Sequence, residues 1–163
     1  NIIRMGTCGA IQPFMKAGDI IVVTSAVRGE RATEEFISID YPAIASHYIV
    51  RASIKACQRL GLPYHVGMVR THDAFYLESP WAFGDYKTRL QPWVDLGVLA
   101  VENEAATMFV VASMQGVRAG AILLSSDPIF SEGEDDPKLE EHKRDLVRVS
   151  IETAKILHEK GLD

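Results

Sequence analysis

Short apolar runs of strand type alternate along this chain with longer stretches whose apolar residues recur every three or four positions. Ile2–Met5 reads as a short buried strand, and Asp19–Thr24, Tyr64–Arg70, Val98–Val101 and Ala119–Leu124 follow it. The near-continuous apolar character of Ile20–Val23 implies burial on both faces. Pro42 predicts a helix start, with an apolar stripe of Ile44, Tyr48, Ile49, Ala52, Ala56 and Leu60. Gly61 and Pro63 stop that helix. Part of Leu77–Trp93 is predicted helical, with Trp81 and Trp93 as core plugs. A further helix runs from about Ala105 to Gln115 on a stripe of Met108, Val111 and Ala112, and Gly116 ends it. Lys138–Gly161 is a long amphipathic helix with Leu139, Leu146, Val149, Ile156 and Leu157 toward the core. Val27–Asp40 reads as an excursion over the surface, and the acidic Glu132–Pro137 as a solvated loop or a mobile flap.

Strands alternating with helices predict an α/β fold with a largely parallel sheet whose strand ends open on one side. The 163 residues suit one domain over 1–163, without repeats. Asn1 enters a strand run directly, with no initiator Met, which reads as the start of a fragment of a longer protein.

The formal net charge of -5 gives no reason to expect nucleic acid or an anionic membrane as partner. No apolar run reaches the ~18 residues a membrane span needs. Cys8 and Cys57 lack CxxC spacing and read as free thiols of an intracellular, cytoplasmic protein. HExxH, CxxC and clustered His are absent, so no metal is expected. GxGxxG and P-loop patterns are absent too, which excludes the usual dinucleotide and NTP sites.

Four stretches after strands carry the chemistry. Arg4, Gly6 and Thr7, leading into Cys8-Gly9-Ala10, form either a turn that cradles an anion or a surface Arg with an ordinary turn. Thr71–Tyr76 offers the aromatic faces of Phe75 and Tyr76, to stack on a planar ring or to seal the core. Adjacent His72 and Asp73 invite an acid–base reading, although neighbours in sequence seldom point at one target. Glu102 and Glu104, at the strand-to-helix junction after Val101, are acceptors for a polar small molecule or the solvated first turn of a helix. Asp127 precedes Pro128 and is held out of the helical region, so its backbone fixes where the carboxylate starts.

Arg4-Met5-Gly6-Thr7-Cys8-Gly9-Ala10-Ile11-Gln12-Pro13 with Gly18-Asp19, then Asp73–Tyr76, Val101–Ala106 and Ser126-Asp127 resemble, in order and spacing, the nucleoside phosphorylase family of purine and uridine phosphorylases. The match runs from Asn1 through the final helix. It implies a three-layer phosphorylase/hydrolase-like fold, with a mixed central sheet flanked by helices and the N-terminal strands missing. It also implies phosphorolysis of a nucleoside to free base and ribose 1-phosphate, with inorganic phosphate as co-substrate and no cofactor. By the resemblance Arg4, Gly6 and Thr7 hold phosphate, and Glu104 and Asn103 face the ribose. Phe75, Cys8, Gly9, Val101 and Ser126 line the base, and Asp127 gives the proton to N7 of a departing purine. Glu102 stays open between a supporting role and a solvated carboxylate. The implied assembly is a hexamer of dimers with sites completed across the dimer contact.

Departures from the family pattern are specific. Asn103 stands where the family has Met, and the Gly-rich phosphate loop with its further Arg is missing upstream. The segment that reaches a neighbouring subunit's site is missing as well. Lys138, Lys143 and Arg144 lie near the place of an Arg that assists the acid in some members. The framework around Ala26-Val27-Arg28 and Gln115–Gly120 resembles uridine phosphorylases, yet Leu77-Glu78-Ser79-Pro80 replaces their uracil-reading pair. Ser126-Asp127 is the purine-type signature, so purine nucleosides are favoured. Uridine phosphorylase is the alternative, and a methylthioadenosine-type nucleosidase using water a more remote one.

Overall fold

The computed structural model describes residues 1–74, 84–130 and 137–161. Phe75, Tyr76, Trp81 and the acidic run 132–136 lie outside the described residues. Among the described residues, six strands and four α-helices follow in chain order: β1 (Ile2–Ala10), β2 (Ile20–Gly29), β3 (Ala43–Ile44), α1 (His47–Leu60), β4 (Tyr64–His72), α2 (Tyr86–Asp95), β5 (Ala100–Glu102), α3 (Ala105–Met114), β6 (Ala119–Pro128) and α4 (Leu139–Glu159). A 3-10 helix, Ala32–Glu35, sits in the excursion after β2.

The strand order is β3-β2-β4-β5-β1-β6, and the sheet curls until β6 also pairs with β2. Residues Ile20–Val23 and Ala121–Leu124 form that antiparallel closure. They are buried on both faces, as their unbroken apolar character requires. Alternation divides them between two layers. Ile20, Val22, Ile122 and Leu124 pack toward α1 and α4, with Ala56, Leu146, Val149 and Ile156. Ile21, Val23, Ala121 and Leu123 pack toward α3, with Phe109 and Val110. The result is the three-layer arrangement around a mixed sheet that the resemblance implies.

The sheet is mixed, as the resemblance implies, where the alternation of strands and helices alone predicts a largely parallel one. β1 runs parallel to β6 and β4 parallel to both β2 and β5, but β1 runs against β5. Strand ends therefore approach from two directions. They meet because the three-residue β5 overlaps only the end of β1, with Gly9 opposite Val101 and Ala10 opposite Ala100.

Other differences share one cause, which is pairing between distant segments. The Gly-rich stretch expected as a tight turn continues β1 to Ala10, clamped between β5 and β6. β1 is not wholly buried either, since Ile2 and Met5 are 45% and 47% exposed. β6 continues past the expected strand end at Leu124 through Ser125–Asp127, and Thr71-His72 ends β4. Pro42 does not open a helix, because Ala43 and Ile44 pair with Ala26 and Ser25 of β2. Helix α1 starts only after Ser46, whose amide donates to the Ala119 carbonyl at 2.7 Å. Its stop at Gly61 is as expected, with φ of 65° in the left-handed region.

Helix α3 turns a different side inward than expected. Ala105, Ala106, Phe109, Val110 and Ala112 are buried, while Val111 is 39% exposed. Its sequence is apolar all round, so no polar face marks which side meets the sheet. The expected core residues of α4 hold: Leu146, Val149, Ile156 and Leu157 are buried, and Leu139 packs beside them partly buried.

Candidate active site at the junction of β1, β5 and α3

Arg4 is the centre of the site. It lies in mid-strand, 15% exposed at its side chain, and its guanidinium faces two carboxylates one hundred residues away in sequence. Nη2 donates to Glu104 Oε2 and lies 3.6 Å from Glu102 Oε2. Nη1 is buried and has no hydrogen-bond partner among the described residues. A buried guanidinium nitrogen without an acceptor calls for one, because desolvating a cationic donor is costly.

The side chain of Arg4 lies across Gly6. A Cβ at Gly6 would collide with Arg4 Nη1 and come within 2.9 Å of Cζ. Gly6 thus leaves the room in which the guanidinium sits, and a side chain there would displace the flexible tip of Arg4. Thr7, the next residue, is exposed, and no hydrogen bond from its hydroxyl is found among the described residues.

The two acids after Val101 have different jobs. Glu102 is 4% exposed, and its Oε2 accepts from the amides of Glu104 at 3.0 Å and Ala105 at 2.8 Å. Its Oε1 accepts from the Thr71 hydroxyl, which in turn accepts from the Ala106 amide at 2.9 Å. A strand carboxylate thereby caps the first turn of α3, where amides lack intrahelical partners and the helix dipole favours negative charge. Glu104 is the N-cap residue of α3 and its side chain is 60% exposed. Its carboxylate is the accessible one. Glu102 is therefore no solvated residue of the helix's first turn, whereas Glu104 stands exposed at the helix start.

Asn103, between them, donates from Nδ2 to the His72 carbonyl and so ties β5 to the end of β4. His72 is 6% exposed, with Nδ1 buried and unpartnered among the described residues. Burial holds its pKa below the ordinary histidine value, and the nearby Arg70 pushes the same way. Its surroundings thus favour the neutral imidazole. Asp73 accepts from the Arg31 amide at 3.3 Å and does not share a target with it.

On the other side of β1, Cys8 faces Ser125 while Gly9 faces Asp127, so Ser126 is the extra residue of a bulge. Ser125 is anchored before the bulge: its amide donates to the Asp19 carbonyl and its carbonyl accepts from the Gly18 amide. The bulge then re-aims the strand, leaving Ser125 buried, Ser126 half-buried and Asp127 exposed. No hydrogen bond or ion pair engages the Asp127 carboxylate among the described residues. Ile129 covers Gly9, and Val101 is 6% exposed opposite it. Cys8 is buried with its thiol donating to the Leu124 carbonyl at 3.4 Å, and burial pushes its pKa up. It is a wall and no nucleophile.

The structure therefore brings Arg4, Gly6, Glu102 and Glu104 into one cluster, with Cys8, Gly9, Val101, Ser126 and Asp127 along the adjoining strand ends. Thr71 is the residue that sequence reasoning missed. The buried alternation of Val69 and Thr71 toward the end of an apolar strand could have flagged it. Among the described residues no group of three or more His, Cys, Asp or Glu side chains could hold a metal ion.

A mixed α/β sheet thus sets a mostly buried arginine beside two carboxylates with separate hydrogen-bond duties, near strand ends of the kind that open onto ligand crevices in α/β proteins. The chain belongs to the phosphorylase superfamily, whose family model matches residues 1–159. It is similar to the guanosine phosphorylase of Halorubrum lacusprofundi, 35% identical over 155 residues, which are 93% of this chain and 61% of that protein. It is similar too to the uridine phosphorylase of Haemophilus influenzae, 35% identical over 129 residues, 75% of this chain and 51% of that one. Among solved structures, the P knowlesi homolog of P falciparum PNP superposes with a TM-score of 0.81 at 32% identity. That match covers 98% of this chain and 62% of the other. The chain thus spans roughly half to three-fifths of the length of the curated relatives it matches.

Proposed function

We propose that this chain carries the nucleoside-binding part of a nucleoside phosphorylase acting on purine nucleosides. The observation that carries the reading is Arg4: a mostly buried guanidinium with one nitrogen lacking an acceptor, beside an accessible carboxylate on a capped helix start. Arg4, Gly6 and Thr7 hold inorganic phosphate, with charge-assisted hydrogen bonds from the guanidinium. Glu104 accepts from ribose hydroxyls, with Asn103 beside it, while Glu102 keeps Arg4 and α3 in place. Cys8, Gly9, Val101, Ser126 and Phe75 line the base.

A phosphate oxygen attacks the anomeric carbon as the C–N bond breaks, and the bonding pair leaves with the base. Asp127 gives a proton to N7, which neutralises the charge building on the leaving group. The transition state resembles an oxocarbenium ion, so an anion held beneath it lowers the barrier. What supports purine over uridine is Asp127 itself, an acid at the strand end where a purine N7 needs a proton.

The same proposal includes a cytoplasmic enzyme with no cofactor beyond phosphate, assembled as a dimer-based hexamer. Its test is a panel of inosine, guanosine, adenosine, uridine and methylthioadenosine, each with and without phosphate. Turnover of purine nucleosides that requires phosphate is expected, and Asp127→Asn should reduce it strongly while sparing any uridine turnover. Equal turnover in phosphate-free buffer would sink the phosphorylase reading, and a variant that loses uridine turnover alone would overturn the purine one.

A further inference from the structure

The helical layer opposite α3 contains a second chemical environment, unconnected with Arg4. A cleft of about 390 Å³ opens between α1 and the end of α4, a size suited to a small molecule. Ala52 and Ile156, both buried, lie at its base, and Arg51, Lys55 and Lys160 line it together with Tyr48. Arg51 and Lys55 stand one turn apart on α1, so their charges repel rather than pair.

Among the described residues no carboxylate lines this cleft. Arg51, Lys55 and Lys160 enter no ion pair among the described residues. The contrast with their neighbour is plain: Arg59 takes both Glu152 at 2.8 Å and Glu159 at 3.3 Å. Glu152 and Glu159 are thus committed to Arg59, and a chain of net charge -5 keeps a local cluster of cations over an apolar floor, without an acidic partner among the described residues.

We infer that this cleft is a binding site for a small organic polyanion, a phosphate ester with a flat apolar group, of which a mononucleotide is the chemical class. Arg51 offers the planar fork that takes two phosphate oxygens at once, and the two lysines add point charges. The aliphatic floor takes the apolar part, which an inorganic anion lacks. This inference does not rest on the phosphorylase reading. Absent phosphorolysis would sink that reading and leave this one standing.

The test is a titration of the whole protein with ADP, followed through isoleucine methyl signals in NMR. Ile54 and Ile156, which line the cleft, are the reporters. They should shift saturably with ADP, and raising salt from about 50 to about 500 mM should weaken binding markedly. The exposed double substitution Arg51→Glu with Lys55→Glu should weaken it at least tenfold, without change in any nucleoside turnover. Lys160→Glu alone is the second, milder variant and should weaken it severalfold. Immobile Ile54 and Ile156 signals, or full affinity in the double variant, would overturn the inference. Tripolyphosphate binding as tightly as ADP would overturn the assignment to a nucleotide, and adenosine binding as tightly would show that charge is not read.

Discussion

Glu102 offers the sharpest quantitative test of how the site is built. Its buried carboxylate accepts two backbone amides, at 3.0 and 2.8 Å, and the Thr71 hydroxyl, and it faces Arg4 across 3.6 Å. Glu102→Ala removes the acceptor for all of these at once. A lost helix cap costs about 1 kcal/mol, and each buried donor left unsatisfied costs about 1–3 kcal/mol. Breaking a buried ion pair by deleting one partner costs about 3–5 kcal/mol in total, and these contributions overlap rather than add. Arg4 keeps Glu104, so the expected loss is about 3–4 kcal/mol.

For a domain of this size that lowers Tm by about 10 °C, at roughly 2–4 °C per kcal/mol. Glu102→Gln retains one carbonyl oxygen for the amides but loses the charge and turns an NH2 donor toward the Thr71 hydroxyl, so about 1–2 kcal/mol is expected. Urea denaturation at neutral pH, with the m-value compared to wild type, measures both. A loss under about 0.5 kcal/mol for Glu102→Ala, the range of ordinary surface changes, would refute the capping and pairing roles.

Three further outcomes follow from the site and its surroundings. Gly6→Ala pushes a Cβ into the flexible tip of Arg4, so stability should change by under about 1 kcal/mol while the KM for phosphate rises about tenfold or more; an unchanged phosphate KM would separate Arg4 from the anion. His72 is held neutral below its ordinary value of 6.5, so between that value and its lower folded one the unfolded chain binds more protons. Stability conferred by the neutral ring is fully present above about pH 6.5 and is lost as pH falls, and His72→Gln should flatten that part of the stability curve; an unaltered slope in the variant would remove His72 as its source. Cys57, pushed up to about 11, and Cys8, pushed up further, are both buried and free. Thiol reagents at about pH 8 should leave both untouched in the folded protein and modify both after unfolding; rapid labelling of the folded protein would contradict their burial.

The sequence by itself determined those elements whose signal is local. The unbroken apolar runs of β2 and β6, the 3.6-residue stripe of α4, and the glycine that stops α1 in the left-handed region are all readable one window at a time. So is the junction after Val101, because a β-type run there passes directly into a helix. Side-chain roles were less legible. The residue types at Arg4, Glu104 and Asp127 announce chemistry, but nothing local says which of two acids is buried. Glu102 and Glu104 have the same side chain two residues apart, and only the fold puts one under Arg4 and Thr71 and leaves the other open.

Tertiary structure decided the rest through pairing between distant segments. Local preferences predict a turn at Gly6–Ala10 and a strand end at Leu124, yet strands on either side of β1 supply ladder partners that outweigh those preferences. Ala43 and Ile44 were drawn off the start of a helix by the same kind of partner in β2. Helix α3 is apolar all round, so only the sheet beneath it selects the side that is buried. The cluster of Arg4 with Glu104 spans one hundred residues of sequence, and no window of residues contains it. A guanidinium can stay buried there because the mixed sheet brings β5 against the end of β1, and the carboxylates arrive with it.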